Sequence, residues 1–278
     1  MTRFGALLRS THPGPSLVVT AIAVALGIAT GLEAWRVVVL GLAILSGQLS
    51  VGLSNDAIDA RRDRIAQRPD KPLARGAASV RSAWIAAFGC VFAALVLSAL
   101  LSWWMLAAHA IALASAWSYN AWLKSTAFSV VPFIVSFGLL PSLVTLAAAQ
   151  PRPAAGWAWV AGGAIGIAVH LTNVLPDLDE DAKTGVHGLP HRLGRTASAV
   201  VAAAALIAGA SAVLIGPIPA AGPTPIAWTA FVLATGIAVG GMVLALVRAP
   251  GRWIFRLVML AALMLCVALA AAGQSLVG

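Results

Sequence analysis

The sequence predicts an all-α integral membrane protein with about nine transmembrane helices. Three observations predict it. The 278 residues are 60% hydrophobic and only 10% charged, with a mean hydropathy of +0.94. The chain divides into nine apolar segments, each near the ~20 residues a helix needs to cross a bilayer. When those segments are threaded alternately through a membrane, sixteen of the 18 Lys and Arg residues fall on one side.

The segments follow from hydropathy and turn residues. The stretch up to Pro13 carries Arg3 and Arg9 and has no Ala-x-Ala cleavage site, so it reads as a cytoplasmic tail. Spans 14–32 and 35–54 are separated at Gly31. Spans 82–101 and 104–122 follow a polar stretch. Span 127–149 contains Pro132 and Pro141, which predict a kinked helix whose freed backbone groups are satisfied by neighbours. Span 157–175 follows Pro151 and Pro153. Span 196–216 ends at Pro217 and Pro219, span 225–247 begins at Pro225, and span 253–275 follows Pro250 and Gly251. Tryptophans cluster near the segment ends, as in an interfacial belt. Abundant alanine predicts close helix packing. No linker divides the chain, so residues 1–278 read as one domain.

The basic residues orient the bundle. With the N-terminus cytoplasmic, only Arg36 and Arg152 lie on the far side. A net charge of +9 at this hydropathy reports topology, not nucleic-acid binding. The pattern fits a bacterial-type plasma membrane. Cys90 and Cys266 sit inside apolar runs and form neither a metal-ligand spacing nor a disulfide framework.

Eight of the nine acidic residues fall in two islands, both cytoplasmic in this topology. The first holds Asp56, Asp59 and Asp63, with Asp70 downstream. The second holds Asp177, Asp179, Glu180 and Asp181. Charge beside membrane segments is costly and marks function. Asn55, Asp59 and Asp63 are spaced four apart, Asp56 joins the same side, and Asp177 and Asp181 repeat the four-residue spacing. Packed carboxylates repel one another and need counter-charge. Two oxygen-bearing helix ends suit Mg²⁺, which bridges carboxylates to substrate phosphates, with nearby Lys and Arg taking the remaining phosphate oxygens.

Asn55-Asp56-x-x-Asp59-x-x-x-Asp63, continued by Arg68-Pro-Asp-Lys-Pro-Leu-Ala-Arg-Gly76, resembles the first aspartate-rich motif of the UbiA superfamily of intramembrane prenyltransferases. Asp177-x-x-x-Asp181, with Lys183, Gly185 and Arg192-Leu193-Gly194 behind it, resembles the second. Tyr119-Asn120-x-x-Leu123-Lys124-x-Thr126 resembles the short loop between them. The likeness runs from about Arg9 to Gly194; the last three spans match only in hydropathy and length. It implies helices around a central cavity whose cytoplasmic mouth the acidic loops cap. It also implies an isoprenyl diphosphate held through Mg²⁺ by Asn55, Asp59 and Asp63 on one side and Asp177 and Asp181 on the other, with a small, typically aromatic, acceptor. Asp56 is carried as a further metal-ligand candidate.

Arg64, Lys71, Lys124 and Lys183 are the cations expected at the diphosphate; each also fits a simple positive-inside anchor. Tyr119, Lys124 and Asp63 are the catalytic candidates. The tyrosine ring can stabilise a carbocation or its hydroxyl can bond near the diphosphate. Arg9 and Asn173 are the acceptor-binding candidates. His187 and His191 could act as bases, whereas His109 and His170 read as hydrogen-bonded within the bundle. Asp59→Ala and Asp181→Ala are expected to abolish turnover with folding nearly intact. Three other functions share these features: a cyclase acting on the prenyl diphosphate alone, a transferase of a sugar phosphate to a polyprenyl phosphate, and a cation-coupled transporter. Transporters usually place ion sites near the midplane, which counts against the last.

Overall fold

The computed structural model describes residues 2–183, 185–217, 223–248 and 252–277; the side chains of Glu180, Asp181, Lys183 and Arg252 lie outside that description. The described residues form α1 (Arg3–Ser10), α2 (Pro13–Ala29), α3 (Ala34–Ile65), α4 (Val80–Leu101), α5 (Trp103–Ala121), α6 (Val131–Thr145), α7 (Gly156–Val174), α8 (Leu178–Lys183), α9 (Leu189–Ile215), α10 (Pro225–Val247) and α11 (Arg252–Ala272). Among them no strand forms, only an isolated bridge between Ala154 and Val277. The all-α expectation holds, and each predicted span falls on a helix. By length and composition six helices can cross a membrane, or seven if α1 and α2, bent by 58°, make one span. Neither α5 nor the 15-residue α6 meets that criterion, so the expected nine crossings are not reproduced.

Local chemistry sets the helix starts. Hydroxyls cap four of them: Thr2 accepts from Gly5 N–H, Ser79 from Ser82 N–H, Ser102 from Met105 N–H, and Thr224 from Ala227 N–H. Pro132 begins α6 instead of kinking it, because proline's fixed φ suits the first turn and its missing N–H would have been unpaired there. Gly194, at φ 76°, interrupts α9 near its start, just before the predicted span 196–216.

The largest departure from expectation is α3. It was expected to end at 54, yet it continues to Ile65, 32 residues in all. At ~1.5 Å per residue that is about 48 Å, so roughly the last twelve residues extend beyond a ~30 Å hydrocarbon layer. Ser54, Asn55 and Asp56 are poor helix formers. Packing overrides them: Leu53, Ala57 and Ala60 are buried against Ala83 and Ala87 of α4. The opposite side of the extension is left for polar groups.

The bundle closes through glycine. Pro141 lies inside α6 and cannot donate to the carbonyl four residues back, that of Phe137. That carbonyl oxygen instead faces Gly162 of α7 so closely that a Cβ there would lie 2.2 Å from it. Gly166 meets the Phe133 carbonyl in the same way, at 2.4 Å. At the far end of the bundle, Arg36 pairs with Glu33 (3.2 Å) and donates to the Leu101 and Ala147 carbonyls (3.3 and 2.9 Å). The one carboxylate outside the islands therefore has a structural role.

Gly162→Ala should lower the detergent-solubilised protein's thermal midpoint by an amount matching about 1–3 kcal/mol of overpacking. Gly236→Ala, whose added Cβ meets nothing within 4 Å, should leave it unchanged. Equal midpoints for both variants would contradict the α6–α7 contact.

Candidate active site

The extension of α3 carries Asn55, Asp59, Arg62 and Asp63 on the side opposite Ala57 and Ala60. All four line a cavity of about 290 Å³. The other walls come from far along the chain: His12, Arg68, Lys71, Tyr119, Lys124, and residues 170–191 including His170, Asn173, Asp177 and His191. Both acidic segments thus meet at one cavity.

Ion pairs hold the loops to α3. Asp56 is 2% exposed, and its Oδ1 accepts from Lys71 Nζ at 2.7 Å. The same oxygen lies 2.9 Å from His12 Nε2. Asp59 accepts from Lys124 Nζ on Oδ1 at 2.5 Å and from Arg62 on Oδ2 at 3.0 Å. Burial pushes the Lys124 ammonium below the ordinary lysine range, and Asp59 opposes that shift. Asn120 adds a neutral tie, donating to the Val51 carbonyl and Ser54 Oγ, both at 2.9 Å. Arg68 forks onto Asp70 with two bonds of 3.1 Å, and this holds the Asp70 carboxyl below its usual range.

Two carboxylates are left differently. Asp63 is 5% exposed, and neither it nor Asp177 has a hydrogen-bond or ion-pair partner among the described residues. Asp177 reaches the cavity because Pro176 turns the chain into a short 3₁₀ segment, Leu175–Asp177, before α8. The uniform helical face expected for 177–181 is therefore broken at its first residue. The side chains of Asp181 and Lys183 lie outside the described residues.

The remaining candidates divide. Tyr119, Lys124, Lys71 and Asn173 line the cavity. The Tyr119 ring packs edge-on against Phe133 (5.1 Å between centroids) and His170 (5.8 Å). Arg64 and Arg9 are exposed and do not line it; Arg62 and Arg68 are the arginines that do. Asp56 also stands outside the lining, occupied by Lys71 and His12, so its expected place as a metal ligand is taken by an ion pair. His187 is exposed, whereas His191 lines the cavity and stacks edge-on against it at 6.1 Å. His12 was missed altogether: a lone histidine before Pro13 carries no spacing signal, and its role depends on a left-handed backbone, φ 52°, at the α1–α2 elbow.

Among the described residues no three His, Cys, Asp or Glu side chains form a self-sufficient metal cage. Asp59 is turned toward Lys124 and Arg62. The donors that remain, Asn55, Asp63 and Asp177, are hard oxygens around an open cavity. That suits a cation completing its shell with substrate oxygens and water.

The family model for the UbiA prenyltransferase family matches residues 16–259, and the chain belongs to that family. No curated protein matches it. Among solved structures, a UbiA homologue from Archaeoglobus fulgidus bound to GPP and Mg²⁺ superposes with TM-score 0.75 at 14% identity, covering 96% of this chain and 99% of that one. A digeranylgeranylglyceryl phosphate synthase gives 0.74 at 14%, covering 99% and 100%. An apo UbiA homologue from Aeropyrum pernix K1 gives 0.70 at 17%, covering 96% and 98%. At these identities the likeness is one of fold.

The ion pairs correct one expectation. Asp59→Ala would strand Lys124 in a buried setting, so it is not neutral to folding. Asp56→Ala should cost about 3–5 kcal/mol by unpairing Lys71 and His12, whereas Asp63→Ala should leave the thermal midpoint unchanged or raised. Thermal unfolding followed by tryptophan fluorescence checks this; a larger drop for Asp63→Ala would contradict it.

Proposed function

We propose that this protein is a Mg²⁺-dependent transferase. It moves a prenyl group from an isoprenyl diphosphate to a small, aromatic acceptor inside a bacterial-type plasma membrane, with the N-terminus and both acidic segments cytoplasmic. The observation that carries this reading is the convergence of Asp63 and Asp177, over a hundred residues apart, on a cavity that also holds Arg62, Arg68, Lys71 and Lys124. Family membership supports it, as does a neighbour of the same fold that binds GPP and Mg²⁺.

The charge balance fits the ligand. Among the described lining residues four Lys and Arg side chains face three carboxylates, Asp59, Asp63 and Asp177. A diphosphate brings more negative charge than this balance absorbs, and a divalent cation restores it. Asn55, Asp63 and Asp177, joined by Asp181, would hold Mg²⁺, which when bound neutralises charge on the departing diphosphate. Asp59 is a shared partner, already bonded to Lys124 and Arg62.

The protein's own groups account for the rest. Arg62, Arg68, Lys71 and Lys124 are the donors for diphosphate oxygens. They stabilise the negative charge that grows as the allylic C–O bond breaks and its electron pair leaves with the diphosphate. Lys124, which lines the cavity and is bonded to Asp59, would turn toward that charge as it grows. The Tyr119 ring offers a π-face to the allylic cation, and the adjacent Phe133 helps exclude water that would quench it. The acceptor's electron pair then forms the new bond, and its proton is released.

Purified protein in detergent, given geranyl diphosphate and hydroxylated aromatic acids, should release diphosphate only with both an acid and Mg²⁺ present. Asp63→Asn and Asp177→Asn should each lower kcat by about 100-fold or more. Turnover in excess EDTA would refute the metal assignment. A hydrocarbon or alcohol formed without an acceptor would establish cyclisation instead.

A second expectation concerns Lys124. Affinity for an inert analogue, geranyl thiodiphosphate, should fall as pH rises through a value below the ordinary lysine range, because only the protonated amine attracts the anion. Lys124→Arg should move that fall to higher pH. An identical profile in both proteins would remove Lys124 from the diphosphate.

A further inference from the structure

His170 is 1% exposed, lies on α7 and lines the cavity. Its Nε2 lies 3.0 Å from Ser129 Oγ. That oxygen already accepts from Leu189 N–H at 2.8 Å. Among the described residues the only acceptor within reach of the Ser129 hydroxyl proton is His170 Nε2. If Nε2 carried a proton instead, the serine hydroxyl would be a buried donor with no acceptor. The network therefore places the histidine proton on Nδ1. Nδ1 is buried and has no partner among the described residues. A buried N–H without an acceptor is unfavourable unless a ligand supplies one.

The surroundings indicate which ligand. Phe133 lies against the imidazole at 4.6 Å between centroids and continues into Phe137, stacked at 6.2 Å. Tyr119 closes the other side edge-on. His170 precedes Asp177 by seven residues, about 10 Å along a helix. The unpaired donor thus sits deep against an aromatic wall, below the carboxylates and cations expected to hold a diphosphate.

We propose that His170 Nδ1–H is the hydrogen-bond donor for an oxygen of the planar co-substrate, a carbonyl, carboxylate or phenolate, held against the Phe133 and Tyr119 rings. This rests on the prenyl-transfer reading of the same cavity and assigns its second substrate subsite. Ser129 and Leu189 are positioning partners that fix the tautomer. Because Leu189 follows the second acidic segment, docking of that loop also sets the donor.

Two variants separate the nitrogens. Asparagine places an N–H where Nδ1 was and abandons Ser129; glutamine reaches Ser129 and abandons the Nδ1 position. With 4-hydroxybenzoate and 1,4-dihydroxy-2-naphthoate as probes, His170→Gln should raise the acceptor KM by about tenfold or more. His170→Asn should stay within about threefold of the unmutated protein, and the KM for geranyl diphosphate should not change in either. The opposite order would show a structural role through Ser129 and overturn the inference, as would two unaffected variants or a raised diphosphate KM. Histidine ¹⁵N NMR on the unmutated protein should show the Nδ1–H tautomer; an Nε2–H tautomer would overturn the inference directly. If the unmutated protein releases diphosphate with no acceptor at all, the transferase reading falls and this inference falls with it, an outcome distinct from the others.

Discussion

Two lysine–aspartate pairs, Lys71 with Asp56 and Lys124 with Asp59, are what the cytoplasmic end of this molecule depends on. Three carboxylates buried within two turns of one helix repel each other. The first two are each matched by a lysine from a different loop, so neutralising the helix also fastens the loops that follow α3 and α5. Asp63 has no such match. Its charge is left directed at the cavity, together with that of Asp177. The same pairs that make the extended helix tolerable thereby define which carboxylates stay available to a ligand.

The rest of the fold serves that arrangement. Apolar packing on α4 carries α3 beyond the hydrocarbon layer, so its polar side rises as a wall and not as a loop. Across the bundle, glycines of α7 admit the carbonyls of α6, one of them freed by Pro141, and the two backbones come into direct contact at those points. Close packing there sets the wall bearing Phe133 and His170. Pro176 then ends the α7 geometry and delivers Asp177 inward.

Much of this was legible in the sequence, because carboxylates are rare in a membrane chain and their periodicity survives folding. The islands were visible as departures from an apolar background, the helical segments as the apolar runs between turn residues, and the Tyr119–Lys124 loop through its resemblance to the family's motif. What could not be read was direction and partnership. Asp56 and Asp59 differ by three positions, yet one is sequestered and the other faces the cavity. Arg64 was the arginine expected at the diphosphate, but the helix turns it to solvent, and Arg62 and Arg68 line the cavity instead. His12 depends on a backbone conformation that no pattern of side chains announces. The end of α3 was misplaced because local propensity at Ser54–Asp56 opposes helix, whereas packing of Ala57 and Ala60 on a distant helix decides it. His170 read as an ordinary core histidine, and half of it is one: Nε2 is satisfied, and only the three-dimensional network reveals the other nitrogen.

The central claim is that two carboxylate segments distant in sequence grip a single diphosphate. Its most direct test is diffraction from crystals grown with Mn²⁺ and geranyl thiodiphosphate, recorded for anomalous signal. Manganese peaks between the diphosphate and both Asp63 and Asp177 are the predicted result. Peaks bound to one segment only, or a diphosphate seated away from Lys71 and Lys124, would contradict it.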